Sequence, residues 1–197
     1  MNSEFGTYLR LGFSHIADPG AGDHIVFLVA LTASYVPRAW VRLLWLVTAF
    51  TLGHSVTLAL ATLDIVRLPG GLIEILIAVT IVLTGLAGML WSARGDRAAI
   101  LSPRQRILYG LAGGFGLIHG LGFSSVLRSV LGGEERIALP LLAFNLGLEA
   151  GQVLIVLAVL AAGAVVCNAL GVSRHKWSLG LALISTLLGV RMVLERV

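Results

Sequence analysis

Three histidines, one aspartate and one glutamate stand inside long apolar runs, where a charged or strongly polar side chain is costly and needs a reason. They are His24, His54, His119, Asp23 and Glu149, and Asn145 and Gln152 lie beside them in sequence. Imidazole and carboxylate together suit first-row divalent metals. At about 1.5 Å rise per residue, His24 lies roughly 18 Å, His54 roughly 21 Å and His119 roughly 20 Å from one edge of their runs. Glu149 lies roughly 18 Å from the opposite edge. In a hydrocarbon core about 30 Å thick, these groups share one level near the midplane. Asn145, Glu149 and Gln152 are spaced so that one helix face carries all three. A lone buried histidine is more often a structural hydrogen-bonder than a ligand, but three at one depth with two acids point to a metal site.

The elements that must position these residues are membrane helices. Of the 197 residues, 57% are hydrophobic and only 12% charged, and mean hydropathy is +0.95. A soluble domain carries about twice that share of charge. Disorder, collagen-like and disulfide-rich classes are excluded by the same composition, and Cys167 stands alone. The net charge of +4 does not point to nucleic acid, because the basic residues sit in short gaps between apolar runs, as topology signals do. The N-terminal residues do not read as a secretory signal, and residues 1–5 carry no weight in the reading.

Six apolar runs span roughly 22–36, 39–63, 69–91, 105–131, 137–167 and 177–194. The expected fold is therefore all-α, a six-transmembrane-helix bundle forming a single transmembrane domain over 1–197, with a short, broken first helix. The break is Asp18-Pro19-Gly20-Ala21-Gly22, where proline and small residues end a helix. The helix restarting at Asp23 is too short to cross alone. Irregular backbone at membrane depth belongs where it is buried in protein or lines a wet cavity, and broken helices often mark substrate sites. Arginines cluster after the first, third and fifth runs, which predicts both termini outside. Trp40, Trp45, Trp91 and Trp177 fall on that same arginine-rich side. The glycines of the fourth run, from Gly110 to Gly122, predict close helix packing. Arg191 and Glu195 are expected to pair along one helix face.

Four segments carry a resemblance. They are LGFSHIADPGAGDHIVFL (11–28), FTLGHSVTLAL (50–60), FGLIHGLGF (115–123) and FNLGLEAGQ (144–152). Together they resemble the HupE/UreJ family of hydrogenase- and urease-associated membrane proteins, and the six-run layout agrees along nearly the whole chain. The resemblance implies a permease for nickel or cobalt. The family's His and Asp-His motif falls on His15, Asp23 and His24, and its other polar positions on His54, His119, Asn145, Glu149 and Gln152. The stretch between His15 and Asp23 is longer than is usual in that family.

The resulting expectation is transport of a divalent ion (nickel or cobalt, with zinc also suited) through a bacterial inner membrane, without enzymatic activity or an organic cofactor. The metal ligands are expected to be His15, Asp23, His24, His54, His119 and Glu149. Asp18 stands at the entrance, and Asn145 and Gln152 orient ligands or waters. The implied partners are the bilayer and the ion, with association between copies of the chain left open. Two other readings stand beside it: a b-type haem protein with histidines from facing helices, and an intramembrane hydrolase. No H-E-x-x-H, G-x-S-x-G or phosphate-loop motif occurs.

Overall fold

Eight α-helices and one 3-10 turn make up the described residues of the computed structural model, which are 4–18, 20, 22–33, 35–92, 103–131 and 137–197. In order they are α1 (Glu4–Ala17), α2 (Asp23–Thr32), α3 (Trp40–Thr62), α4 (Gly70–Ser92), α5 (Pro103–Gly122), α6 (Ser124–Leu131), α7 (Ala138–Ala169) and α8 (Arg174–Arg196), with the 3-10 turn at Pro37–Ala39 before α3. Four helices are long and apolar enough to cross a bilayer by themselves: α3, α4, α7 and α8. A fifth crossing is available if α5 and α6 count as one bent span. The chain is an all-helical membrane protein, and its outward surface fits: Leu52, Leu83, Leu142, Leu157 and Leu187 are all exposed, which lipid tolerates and water does not.

Two elements differ from the sequence reading. Residues 4–17 form a full helix that lies before the first apolar run. Its buried residues Tyr8, Gly12 and Ile16 recur every fourth position and so line one face. The run drawn as one span over 105–131 is two helices, α5 and α6, meeting at 51°. Glycine-rich sequence up to Gly122 has low helix propensity, and Ser124 Oγ donates to the Leu121 carbonyl 2.8 Å away, satisfying an end that the break exposes. The first apolar run yields only the 10 residues of α2, about 15 Å of helix.

The bundle is organised as tightly apposed helix pairs: α1 with α7, α3 with α5, and α4 with α8. At the first pair, a β-carbon on Gly12 would strike the Phe144 carbonyl, and one on Gly147 would strike the Leu9 carbonyl. At the second, Gly53 meets the Gly113 carbonyl and Gly116 the Phe50 carbonyl in the same manner. Both contacts bring backbone against backbone, which only glycine permits. The partners in these two pairs ascend together, so α1 runs parallel to α7 and α3 parallel to α5. Phe27, Phe50, Phe144, Leu43 and Leu148 form the buried centre between the pairs. At one end of the bundle the start of α4 and the end of α8 meet, with Arg196 donating to the Glu74 carbonyl at 2.9 Å. At this end Arg128 of α6 also reaches Asp64 after α3, at 2.8 Å. Arg191 pairs with Glu195 at 2.6 Å, as the spacing predicts.

Candidate metal centre

The packing of glycine against backbone has a direct consequence for the site. Gly12 and Gly116 each stand three positions before a histidine, His15 and His119. Close apposition of α1 to α7 and of α5 to α3 therefore carries both rings to the centre of the bundle. His24 enters from the first turn of α2, and His54 from the middle of α3.

The four rings cluster. Ring centroids lie 4.7 Å apart for His15 and His24, 5.0 Å for His24 and His119, 6.1 Å for His15 and His54, and 6.3 Å for His24 and His54. His24, His54 and His119 are buried. One nitrogen each from His15, His24 and His54 lies within 4.8 Å of the others. Two nitrogens bonded to one ion at about 2.1 Å are at most about 4.2 Å apart, so these rings close on an ion by moving about 1 Å or less. The longer stretch between His15 and Asp23 does not separate them, since the His15–His24 pair is the tightest of the four.

Hydrogen bonds fix which nitrogens remain to bind. Asp23 Oδ1 accepts from the His24 backbone N–H at 2.9 Å and lies 3.1 Å from His24 Nδ1. The carboxylate thus holds a proton on Nδ1 and leaves Nε2 with its lone pair, the second-sphere arrangement common to metal-binding histidines. Asp23 does not cap α2: the N-cap is Gly22, without a side-chain cap bond. His119 is fixed from the other nitrogen. Thr80 Oγ1 lies 2.7 Å from the Ile77 carbonyl and 2.9 Å from His119 Nε2. With its one proton on the carbonyl the hydroxyl accepts from Nε2, and that tautomer keeps Nδ1 for a ligand. Among the described residues, His15 Nε2, His24 Nε2, both nitrogens of His54 and His119 Nδ1 are buried without a hydrogen-bond partner. Nitrogens of His15, His24 and His54 come within 4.8 Å of one another, with His119 outside that set, and buried nitrogens left without partners are an arrangement that folding alone does not favour.

Aromatic rings wall the cluster. Phe123 stands 4.0 Å from His15, Phe50 and Phe27 each 5.1 Å from His119, and Phe144 6.4 Å from His54, by centroid. A cavity of about 980 Å³ leads to the rings. Ser14, His15, Asp18, Asp23, His24 and His119 line it, and Glu74, Glu195 and Arg196 stand at the α4–α8 end. Asp18 is exposed there and accepts from the Gly20 N–H at 2.8 Å.

The remaining sequence candidates lie on α7. Glu149 accepts from Thr48 Oγ1 at 2.6 Å, and Gln152 Oε1 from Thr51 Oγ1 at 2.8 Å. Asn145 Oδ1 and Gln152 Nε2 are buried and unpartnered among the described residues. This polar seam joins α3 to α7 one to two turns from His54. Sequence reading passed over Thr48, Thr51 and Thr80. Thr48 and Thr51 share the face of α3 that carries His54 and Ser55, and that spacing was the available signal. Thr80 had none, since threonine is ordinary in an apolar helix.

Over residues 1–195 the sequence matches the family model described as HupE / UreJ protein. The chain belongs to the HupE/UreJ family. No curated protein and no solved structure matches it. Within this HupE/UreJ chain the histidine cluster draws on α1, α2, α3 and α5, so all four segments that carried the resemblance reach the site or, in the case of α7, pack directly on it.

Proposed function

We propose that this HupE/UreJ chain is a permease for a divalent transition-metal ion, nickel or cobalt in the first place and zinc as a donor set of this kind also allows. The observation that carries the reading is the meeting of His15, His24 and His54 nitrogens within 4.8 Å at the foot of an open cavity. His15, Asp23, His24, His54 and His119 form the binding site. Glu149 offsets charge on the far side, and Asn145 and Gln152 orient ligands or waters. Asp18 stands at the entrance.

In this reading the chain crosses the bacterial inner membrane six times, α1 with α2 forming the first crossing and α5 with α6 the fourth. Both termini face out, and the cavity is the outer vestibule. A doubly charged ion moving inward down 100 mV gains about 4.6 kcal/mol, at about 2.3 per charge, so nucleotide hydrolysis is not required. The activity is transport rather than catalysis. The four imidazoles and the phenyl rings packed on them form one close cluster, which counts against haem.

The test pairs binding with uptake. Purified chain in detergent, stripped with chelator, is titrated with nickel, cobalt and zinc, and cells expressing it are assayed for uptake of the same ions. Stoichiometric binding that His24→Ala abolishes, together with uptake lost in the same variant at equal protein level, is the expected result. Full binding and uptake by His24→Ala would overturn the assignment.

A further inference from the structure

The two halves of the chain repeat each other. In α3 the residues Ala49-Phe50-Thr51-Leu52-Gly53 stand where α7 has Ala143-Phe144-Asn145-Leu146-Gly147. In α1 the pair Gly12 and His15 stands where α5 has Gly116 and His119. The contacts repeat with the sequence. Gly53 meets α5 at Gly113 and Leu117, as Gly147 meets α1 at Leu9 and Phe13. Gly116 meets α3 at Phe50 and His54, as Gly12 meets α7 at Phe144 and Leu148. Each half therefore lends its first helix to the third helix of the other half. The fourth helices complete the relation. Gly85 of α4 packs on Ala182 and Thr186, and Gly189 of α8 packs on Ile81 and Val82, so α4 and α8 cross antiparallel. Antiparallel mates across one contact mean that the second half is inverted with respect to the first, a construction transporters use for alternating access.

The symmetry is broken in one respect. The cavity of about 980 Å³ reaches the histidines from the end where α4 starts, and it includes Met192, one turn beyond Gly189. Gly88, one turn beyond Gly85, lines the corresponding space at the other end, with Tyr35, Thr84 and Leu108. That space is only about 30 Å³, room for about one water. Tyr35, which lines that space, accepts at Oη from Gln105 Nε2 at 3.1 Å, and the Arg42 guanidinium lies 5.8 Å over the Tyr35 ring.

We infer that this closed space between α2, α3, α4 and α5 is the second access route of the site, the mate of the open vestibule, through which a divalent cation leaves once the halves exchange conformations. The inference rests on the transport reading for its cargo, but not for its geometry. The α1·α7 and α3·α5 pairs rock as bodies against each other about the α4·α8 contact. The vestibule closes over His15 and His119 as the space at Thr84 opens, and the Tyr35–Gln105 bond is the latch of the present state.

Thiol labelling in metal-free membrane vesicles tests this. Thr84→Cys and Met192→Cys are made singly in a Cys167→Ser background, with Leu108→Cys as a second reporter of the closed space, and an impermeant maleimide is supplied from one face at a time. Met192→Cys should label from the outer face, and Thr84→Cys and Leu108→Cys from the inner face. Adding Gln105→Ala removes the latch. Gln105 also bonds Tyr109 on its own helix, a contact within α5 that both states keep, so the two states differ by the Tyr35 bond. Loss of one hydrogen bond shifts a two-state equilibrium by about fivefold, and inner labelling should rise by about that factor while Met192→Cys labelling falls. Inner reporters that never label, or outer and inner labelling that rise together, would overturn the inference. Reciprocal labelling in a chain that takes up no metal would uphold it and sink only the cargo.

Discussion

Thr80 on α4 holds His119 on α5 by a 2.9 Å contact to Nε2, which leaves Nδ1 as the ring nitrogen without a partner among the described residues. A threonine with no ligand atom of its own to offer thus sets which face of an imidazole meets the cavity. Thr80→Val keeps the shape and removes the acceptor. Disturbing a partner of this kind typically weakens metal affinity by about 10–100-fold. Calorimetric titration of the purified variant should show that loss with the helical content unchanged, and wild-type affinity would remove Thr80 from the account.

His54 gives the opposite signature in stability. Both of its ring nitrogens are buried without a partner among the described residues, and an unsatisfied buried polar group costs about 1–3 kcal/mol. His54→Leu should raise the melting temperature of the metal-free protein, because an apolar group of similar size meets Phe50 and Phe144 without that cost. Added nickel should raise the melting temperature of the wild type further, and His54→Leu should abolish that rise. A destabilised metal-free His54→Leu would show that the ring is held by interactions worth more than its desolvation.

Glu149 separates a charge role from a packing role. Glu149→Gln retains an acceptor for Thr48, whose hydroxyl lies 2.6 Å away, and removes the negative charge. Uptake normalised to folded protein should fall to background, with metal-free stability equal to or above wild type, since a costly charge in the bundle is gone. Near wild-type normalised uptake would end the role assigned to this residue.

Gly53 and Gly110 form a matched pair for the helix contacts. Gly53→Ala drives a methyl into the Gly113 carbonyl, whereas a β-carbon on Gly110 meets nothing within 4 Å. Gly53→Ala should cost about 1–3 kcal/mol through overpacking, and Gly110→Ala should be neutral or stabilise by up to about 1 kcal/mol. Unfolding in detergent followed by circular dichroism compares the two.

The level at which His24, His54 and His119 meet was legible because a helix converts sequence separation into height at a constant rise, so counting residues from an edge locates a side chain. The pairing of Arg191 with Glu195 followed from the same regularity. Helix α1 escaped notice because Arg10, Ser14 and His15 dilute its apolar content, and its buried stripe of Tyr8, Gly12 and Ile16 is narrow. The break between Gly122 and Ser124 was hidden inside a continuous apolar run, where hydropathy carries no information about direction. The seam from Thr48 to Glu149 and from Thr51 to Gln152 is a tertiary contact between helices about a hundred residues apart, and no local pattern announces its partner. The resemblance added His15, which spacing alone could not place beside His24.

The orphaned nitrogens of the histidine cluster also bear on how long the protein lasts in a cell. A ligand that binds only the folded chain stabilises it by about 2.7 kcal/mol at a hundredfold excess over its dissociation constant. Here the ligand would also complete buried groups that the bare fold leaves unsatisfied. Because His15, His24 and His54 come from three separate helices, an ion held by all three would rivet those helices together. Differences of about 1–2 kcal/mol change cellular abundance several-fold through quality control. On the transport reading proposed above, scarcity of the ion would then shorten the life of its own carrier, and the membrane would keep the protein in proportion to its supply of cargo.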